Sequence, residues 1–258
     1  MKPNRVKQLL KEGKSACGTW VSLCSPIAAE VVGMAGFDWL LIDMEHGSGD
    51  YQTLVTQLQA IAAAGESEPL VRVQWNDAAV VKRVLDAGAR GVMVPGIRTV
   101  EEARRAVAST KYPPQGFRGI ATVRGGRYGL DAGYLKEAND HVLVFLQIET
   151  REAVKDIDAM LDVPGIDVCF IGPNDLAGDL GHTGELAHPE VVAAIGRVEQ
   201  AAKTRKIPLG TVSRSWDAAR ALFEKGYQAV SVQSDLNFLL TASRQAVESF
   251  RAHPAGKR

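Results

Sequence analysis

Short apolar runs rich in β-branched residues recur along the chain, separated by stretches whose apolar positions fall three and four apart. The runs are Cys17 to Leu23, Phe37 to Asp43, Leu70 to Val73, Gly91 to Val94, Val142 to Ile148, Asp167 to Gly172, Leu209 to Val212 and Gln228 to Val232. Each has the length and composition of a buried strand. Between them, Tyr51, Leu54, Val55, Leu58, Ile61 and Ala62 keep the spacing of one buried helical face, as do Val191, Val192, Ile195, Val198 and Ala202. Ala153, Val154, Ile157 and Leu161 predict one helix from Arg151 to Asp162. Gly36, Gly65, Gly88 and Gly226 stand where a helix must stop before the next strand. Eight alternations predict an α/β protein, a single (β/α)8 TIM barrel over residues 1–258. An open doubly wound sheet suits the same alternation, but no glycine-rich dinucleotide or P-loop fingerprint follows the first strand.

The interval from Lys111 to Asn139 breaks the rhythm. It holds Tyr112-Pro113-Pro114-Gln115-Gly116-Phe117-Arg118-Gly119 and Arg124-Gly125-Gly126-Arg127, then a short helical stretch from Asp131. Loops of this length tend to be functional. This one is expected to leave the end of the fourth strand and to wall the substrate site.

Thirty basic and thirty acidic residues give zero formal charge, so no electrostatic footprint for nucleic acid or an anionic membrane surface is present. Cys17, Cys24 and Cys169 have neither metal-ligand spacing nor the even count of a disulfide framework, which suits free thiols in a reducing compartment. Met1 to Lys14 is too polar for a signal peptide, and no later run approaches membrane-spanning length. A soluble cytoplasmic protein is expected.

In a barrel, the residues that end each strand converge on one mouth. Asp43, Glu45 and His46 end the second strand, Arg72 lies in the third, Gln147 and Glu149 end the fifth, and Asp175 follows the sixth. Glu149 and Asp175 offer hard oxygens to a divalent cation, Mg²⁺ or Mn²⁺ first, with Co²⁺ and Zn²⁺ also within reach of such a site. The same two acids also serve as ordinary helix-start residues. His46 beside Asp43 suggests a base and its orienting carboxylate. His141, His182, His188 and His253 lack such a setting and are assigned structural roles. A permanent charge at Arg72 needs a partner inside a strand. It can stabilise an enolate, or pair with Asp43 or Glu149, and the two roles are compatible. No lysine falls on a strand, which argues against Schiff-base catalysis.

Several segments together resemble the HpcH/HpaI family of metal-dependent, pyruvate-using aldolases. They are Gly18-Thr19-Trp20-Val21, Asp43-Met44-Glu45-His46-Gly47, Val71-Arg72-Val73, Gly91-Val92-Met93-Val94-Pro95, the Tyr112–Gly119 stretch, Gln147-Ile148-Glu149-Thr150 and Ile171-Gly172-Pro173-Asn174-Asp175-Leu176. The resemblance implies a homo-hexamer of barrels with a divalent cation held by Glu149 and Asp175. It also implies cleavage of a 4-hydroxy-2-oxo acid, such as 4-hydroxy-2-oxoheptanedioate or a 2-keto-3-deoxy sugar acid, to pyruvate and an aldehyde. His46, supported by Asp43, would handle the hydroxyl proton. Arg72 would bind the keto oxygen and the enolate, with Gln147 beside it. Trp20 would border the pyruvate methyl, Val212 would join the substrate contacts, and amides around Gly172, Asn174 and Asp175 would receive the carboxylate. Asp86 would reach a neighbouring subunit's site. Asn174 stands where alanine is common in the family. Arg124 or Arg127 could meet a distal carboxylate or form an intersubunit ion pair. A lyase of the citrate lyase β or malyl-CoA type shares most of these residues, though the short connections leave little room for a CoA tail. A non-catalytic metabolite-binding barrel would have no need of His46 and Asp43.

Overall fold

A computed structural model describes residues 2–253. Eight parallel strands close into a barrel in sequence order: β1 (Ala16–Val21), β2 (Trp39–Asp43), β3 (Glu68–Arg72), β4 (Gly91–Val94), β5 (Leu143–Ile148), β6 (Val168–Ile171), β7 (Leu209–Ser213) and β8 (Ala229–Ser234), the last pairing back onto β1. The alternation of a pleated strand divides each sequence in two. Leu40, Ile42, Val71, Val92, Val144, Leu146, Cys169 and Val230 point outward into the layer beneath the helices. Trp39, Leu41, Leu70, Met93, Phe145 and Phe170 fill the barrel itself. Each large side chain buried this way stabilises the fold by roughly 1.5–3 kcal/mol. Gly18 makes room for the largest of them, since a Cβ there would lie 2.1 Å from the Trp39 ring.

The helices are α1 (Arg5–Lys11), α2 (Pro26–Gly33), α3 (Tyr51–Ala64), α4 (Ala78–Asp86), α5 (Val100–Thr110), α6 (Tyr134–His141), α7 (Arg151–Lys155), α8 (Ile157–Leu161), α9 (Pro173–Asp179), α10 (Pro189–Arg205), α11 (Trp216–Lys225) and α12 (Asp235–Ala252). Side chains cap many of them, as Asp50 does for α3 and Thr99 with Glu102 for α5 in a reciprocal capping box. Helix α1 plugs the N-terminal end of the barrel with Val6 and Leu10. Among the described residues, no helix is long and apolar enough to cross a membrane.

Two expectations change. The single helix from Arg151 to Asp162 is two short helices, because the backbone leaves helical geometry at Asp156 (φ −100°, ψ 17°) while Ala153, Ile157, Met160 and Leu161 stay buried. The 111–139 segment does not leave β4. It follows α5, and helices run back toward the strands' N-terminal ends, so it lies at the end of its own barrel away from the polar rim. Arg118 there binds Asp86 at the end of α4 (2.7 Å), and Arg124 donates to the Ala87 carbonyl (2.8 Å). It cannot wall the site of its own barrel.

Candidate active site

The inward row that packs the barrel turns polar at its C-terminal end. Two residues past Leu41 comes Asp43, two past Leu70 comes Arg72, and two past Phe145 comes Gln147. A cavity of about 640 Å³ opens over this layer, bordered by Trp20, Asp43, His46, Arg72, Gln147, Asn174, Asp175 and Val212. Gly172 and Pro173 complete the wall beside β6. A larger cavity of about 900 Å³ at the opposite end is lined by Lys7, Lys11, Asp167 and Lys203. It lies at the strands' N-terminal face, where conserved barrels keep stability rather than chemistry.

Arg72 organises the floor. Its Nε and Nη2 donate to the two oxygens of Asp43 at 3.0 and 2.7 Å, and its Nη1 lies 2.9 Å from Glu45 Oε2. The guanidinium stacks over the Trp20 ring at 4.3 Å, and Trp20 Nε1 donates to Ser231 Oγ at 2.8 Å. A fork held by two acids and a ring is fixed in direction, which is the geometry for receiving a planar oxyanion. Glu45 and Ser231 had no assigned role in the sequence. Ser231 was legible as the inward residue two past Ala229 on β8.

The Asp43–His46 side-chain pair does not form. Asp43 spends its oxygens on the Arg72 fork and on the backbone N–H groups of Glu45 (3.1 Å) and His46 (3.3 Å). The His46 ring instead stands at the mouth, its side chain 68 % exposed, with Nε2 3.9 Å from Glu45 Oε2. Asp43 therefore fixes the turn that carries His46 rather than its ring. Burial pushes the Glu45 carboxyl upward, opposed by the Arg72 charge and reinforced by Glu149.

Glu149 is buried just past β5. Its Oε1 accepts the Gly96 N–H at 2.7 Å, and Gln147 Nε2 donates to Oε2. A Cβ at Gly172 would fall 2.7 Å from that oxygen, so only glycine lets the β6 exit pass so close. Burial raises the Glu149 carboxyl, its two hydrogen bonds lower it, and the nearby Asp175 charge raises it further. Asp175 on the cavity wall and the nearby Glu149 carboxylate just behind it, with Gln147 Oε1 buried and without a partner among the described residues, fit a divalent cation. Asp175 sits in the first turn of α9, which no side chain caps.

Asp86 is not part of this cluster: it ends α4, with its carboxylate on Arg118. The mouth also holds a cation with no role in the sequence reading. Arg214, one residue past β7, borders the cavity, and the rule applied to the other strand exits would have found it.

Parallel (β/α)8 barrels hold their chemistry at the strands' C-terminal ends, and a polar layer there marks this molecule as a barrel enzyme. The sequence pattern described as HpcH/HpaI aldolase/citrate lyase matches residues 16–242. A 4-hydroxy-2-oxo-heptane-1,7-dioate aldolase of Klebsiella pneumoniae is 43% identical over 250 residues, 96% of this chain and 94% of that protein. A protein of the same name from Escherichia coli is 43% identical over 252 residues, covering 96% and 95%. A crystal structure of an HpcH/HpaI aldolase/citrate lyase family protein from Burkholderia cenocepacia superposes with a TM-score of 0.93 at 42% identity, covering 96% and 99%. The chain belongs to the HpcH/HpaI aldolase/citrate lyase family. It is a carbon–carbon lyase of the HpcH aldolase type.

Proposed function

We propose that this chain is a metal-dependent class II aldolase that reversibly cleaves a 4-hydroxy-2-oxo acid to pyruvate and an aldehyde. The observation that carries the proposal is the Arg72 guanidinium, pinned by Asp43 and Glu45 at the floor of a cavity that Asp175 borders, with the Glu149 carboxylate close enough to feel both charges. Glu149 and Asp175 would hold the ion, Mg²⁺ or Mn²⁺. When bound, it supplies Lewis acidity at the substrate's keto group.

The chain's own residues account for the remaining demands. Arg72, with Gln147 beside it, meets the negative charge that develops on the C2 oxygen as the C3–C4 bond breaks and its electrons form the enolate. His46, at the mouth and free to move, takes the C4 hydroxyl proton as that carbon becomes the aldehyde. The uncapped amides at the start of α9 receive the pyruvate carboxylate, and Trp20 and Val212 wall the small methyl end. Arg214, which has no ion-pair partner among the described residues, borders the cavity, suits a distal carboxylate and favours a dicarboxylic substrate such as 4-hydroxy-2-oxoheptanedioate. We place this activity in the cytoplasm, consistent with three free cysteines.

The assembly we propose is a homo-hexamer. Its support is the apolar surface of α12, where Leu236, Leu239, Leu240, Val247 and Phe250 are all exposed. In such an assembly Asp86 and the 111–139 segment, remote from their own barrel's site, would border a neighbour's.

Pyruvate release from 4-hydroxy-2-oxo acids should vanish on exhaustive chelation and return with Mg²⁺ or Mn²⁺. Turnover that survives metal removal undamaged would overturn the proposal.

A further inference from the structure

Outside the cavity, the described residues bring together one group of metal-ligating side chains: His182, His188 and Glu190. It sits on the connection between α9 and α10, whose Leu186 borders the catalytic cavity. His182 Nε2 lies 2.8 Å from Glu190 Oε2, and the two imidazoles stack with centroids 3.4 Å apart. His188 caps α10, its Nδ1 accepting the Glu190 N–H at 3.3 Å, so Nε2 carries the ring proton in this tautomer and an ion would either compete for the Nδ1 lone pair or bind Nε2 as the proton leaves. One ligand atom from each residue falls within 4.8 Å of the others.

We propose that His182, His188 and Glu190 form a second divalent-metal site, separate from Glu149 and Asp175 and of different selectivity. Two neutral imidazoles and one carboxylate are the donors of Zn²⁺, Ni²⁺, Co²⁺ or Cu²⁺, whereas a carboxylate pair suits Mg²⁺ or Mn²⁺. Stacked rings only 18° from parallel do not aim their lone pairs at one point. One imidazole therefore turns about its Cβ–Cγ bond when the ion enters, and neither ring is locked in the core. The positive end of α10 opposes a cation. The Glu190 carboxylate in the same turn offsets it. Three protein ligands leave a position for water. Such an ion would staple the α9–α10 turn, which begins five residues after Asp175.

The test is Zn²⁺ stoichiometry by equilibrium dialysis with Mg²⁺ in excess, together with Cu²⁺ electron paramagnetic resonance. The variants are His182→Gln and His188→Asn, the latter retaining a helix-capping side chain. Wild type should bind one more Zn²⁺ per chain than the double variant, and its Cu²⁺ spectrum should show nitrogen coupling that each single variant reduces. Circular dichroism verifies folding, and Glu190→Gln, which leaves both rings in place, should weaken Zn²⁺ binding at least 10-fold. Equal Zn²⁺ stoichiometry in folded wild type and double variant, or Cu²⁺ spectra unchanged by both histidine substitutions, would overturn the assignment.

Discussion

Arg72 shows how burial decides which substitution is informative. Removing it to alanine would leave Asp43 and Glu45 without their cation, and breaking a buried pair in this way costs about 3–5 kcal/mol. Loss of activity would then be confounded with loss of fold. Arg72→Lys keeps the charge and discards the fork. The expected outcome is a kcat lower by about 10²–10³-fold with a nearly unchanged melting curve. Turnover close to wild type would remove Arg72 from its enolate role. Glu149 makes a pH-dependent prediction whose sign follows from burial. Its carboxyl is raised, so the folded state holds the proton more tightly than the unfolded chain. In the metal-free protein, stability contributed by this group is present at low pH and lost as pH climbs from the ordinary glutamate value toward the raised one. A divalent ion competes with the same proton. Melting with and without Mn²⁺ across a pH series should show an ion-induced shift that grows through that window and is absent in Glu149→Gln. A shift independent of pH, or retained by the variant, would exclude Glu149 as a ligand.

At the scale of elements, the barrel was legible because one periodicity sets both faces of every strand. Asp43, Arg72 and Gln147 could be placed at the rim because they continue an inward row begun by Leu41, Leu70 and Phe145. Contacts between strands were not legible: nothing in the spacing of Asp43 and His46 announces that a guanidinium 29 residues from Asp43 will claim its carboxylate. The 111–139 segment does not follow β4 directly because α5 intervenes, a helix whose start the Thr99 and Glu102 capping box marks in the sequence. His182 and His188 meet only because a turn folds back between two helices, which no strand or helix period encodes. Gly18 is where strand packing is tightest. Gly18→Ala forces a methyl into the Trp39 ring, and overpacking of this kind typically costs about 1–3 kcal/mol. Since roughly 1 kcal/mol moves the midpoint of a protein this size by about 2–4 °C, the variant should melt clearly lower. A wild-type midpoint would mean that Trp39 can move aside within the barrel.

For the whole molecule, the unpaired surface is α12. Its first turns are anchored by Phe238 against Phe37, with centroids 6.3 Å apart, and by the buried Asp235, which accepts from the N–H groups of Ser22 and Leu23 at 2.8 and 3.1 Å. Beyond that anchor, Leu239, Leu240, Val247 and Phe250 are exposed, and on α2 so are Ile27, Val31 and Met34. Helix α12 touches α2. Apolar surface of this extent is unusual on a monomer and suits contact with another copy. Leu239→Asp with Phe250→Asp places charges in that contact while leaving Phe238 and Asp235 in position, so the barrel should fold and the assembly should not form. Light scattering on a sizing column should give a smaller species than the hexamer proposed for the wild type. Its activity separates two possibilities. If Asp86 and the 111–139 segment complete a neighbour's site, the dissociated barrel loses turnover although Arg72, Glu149 and Asp175 are untouched. A dissociated species with full turnover would confine catalysis to one chain. An unchanged mass would show that α12 is not the contact that holds the assembly.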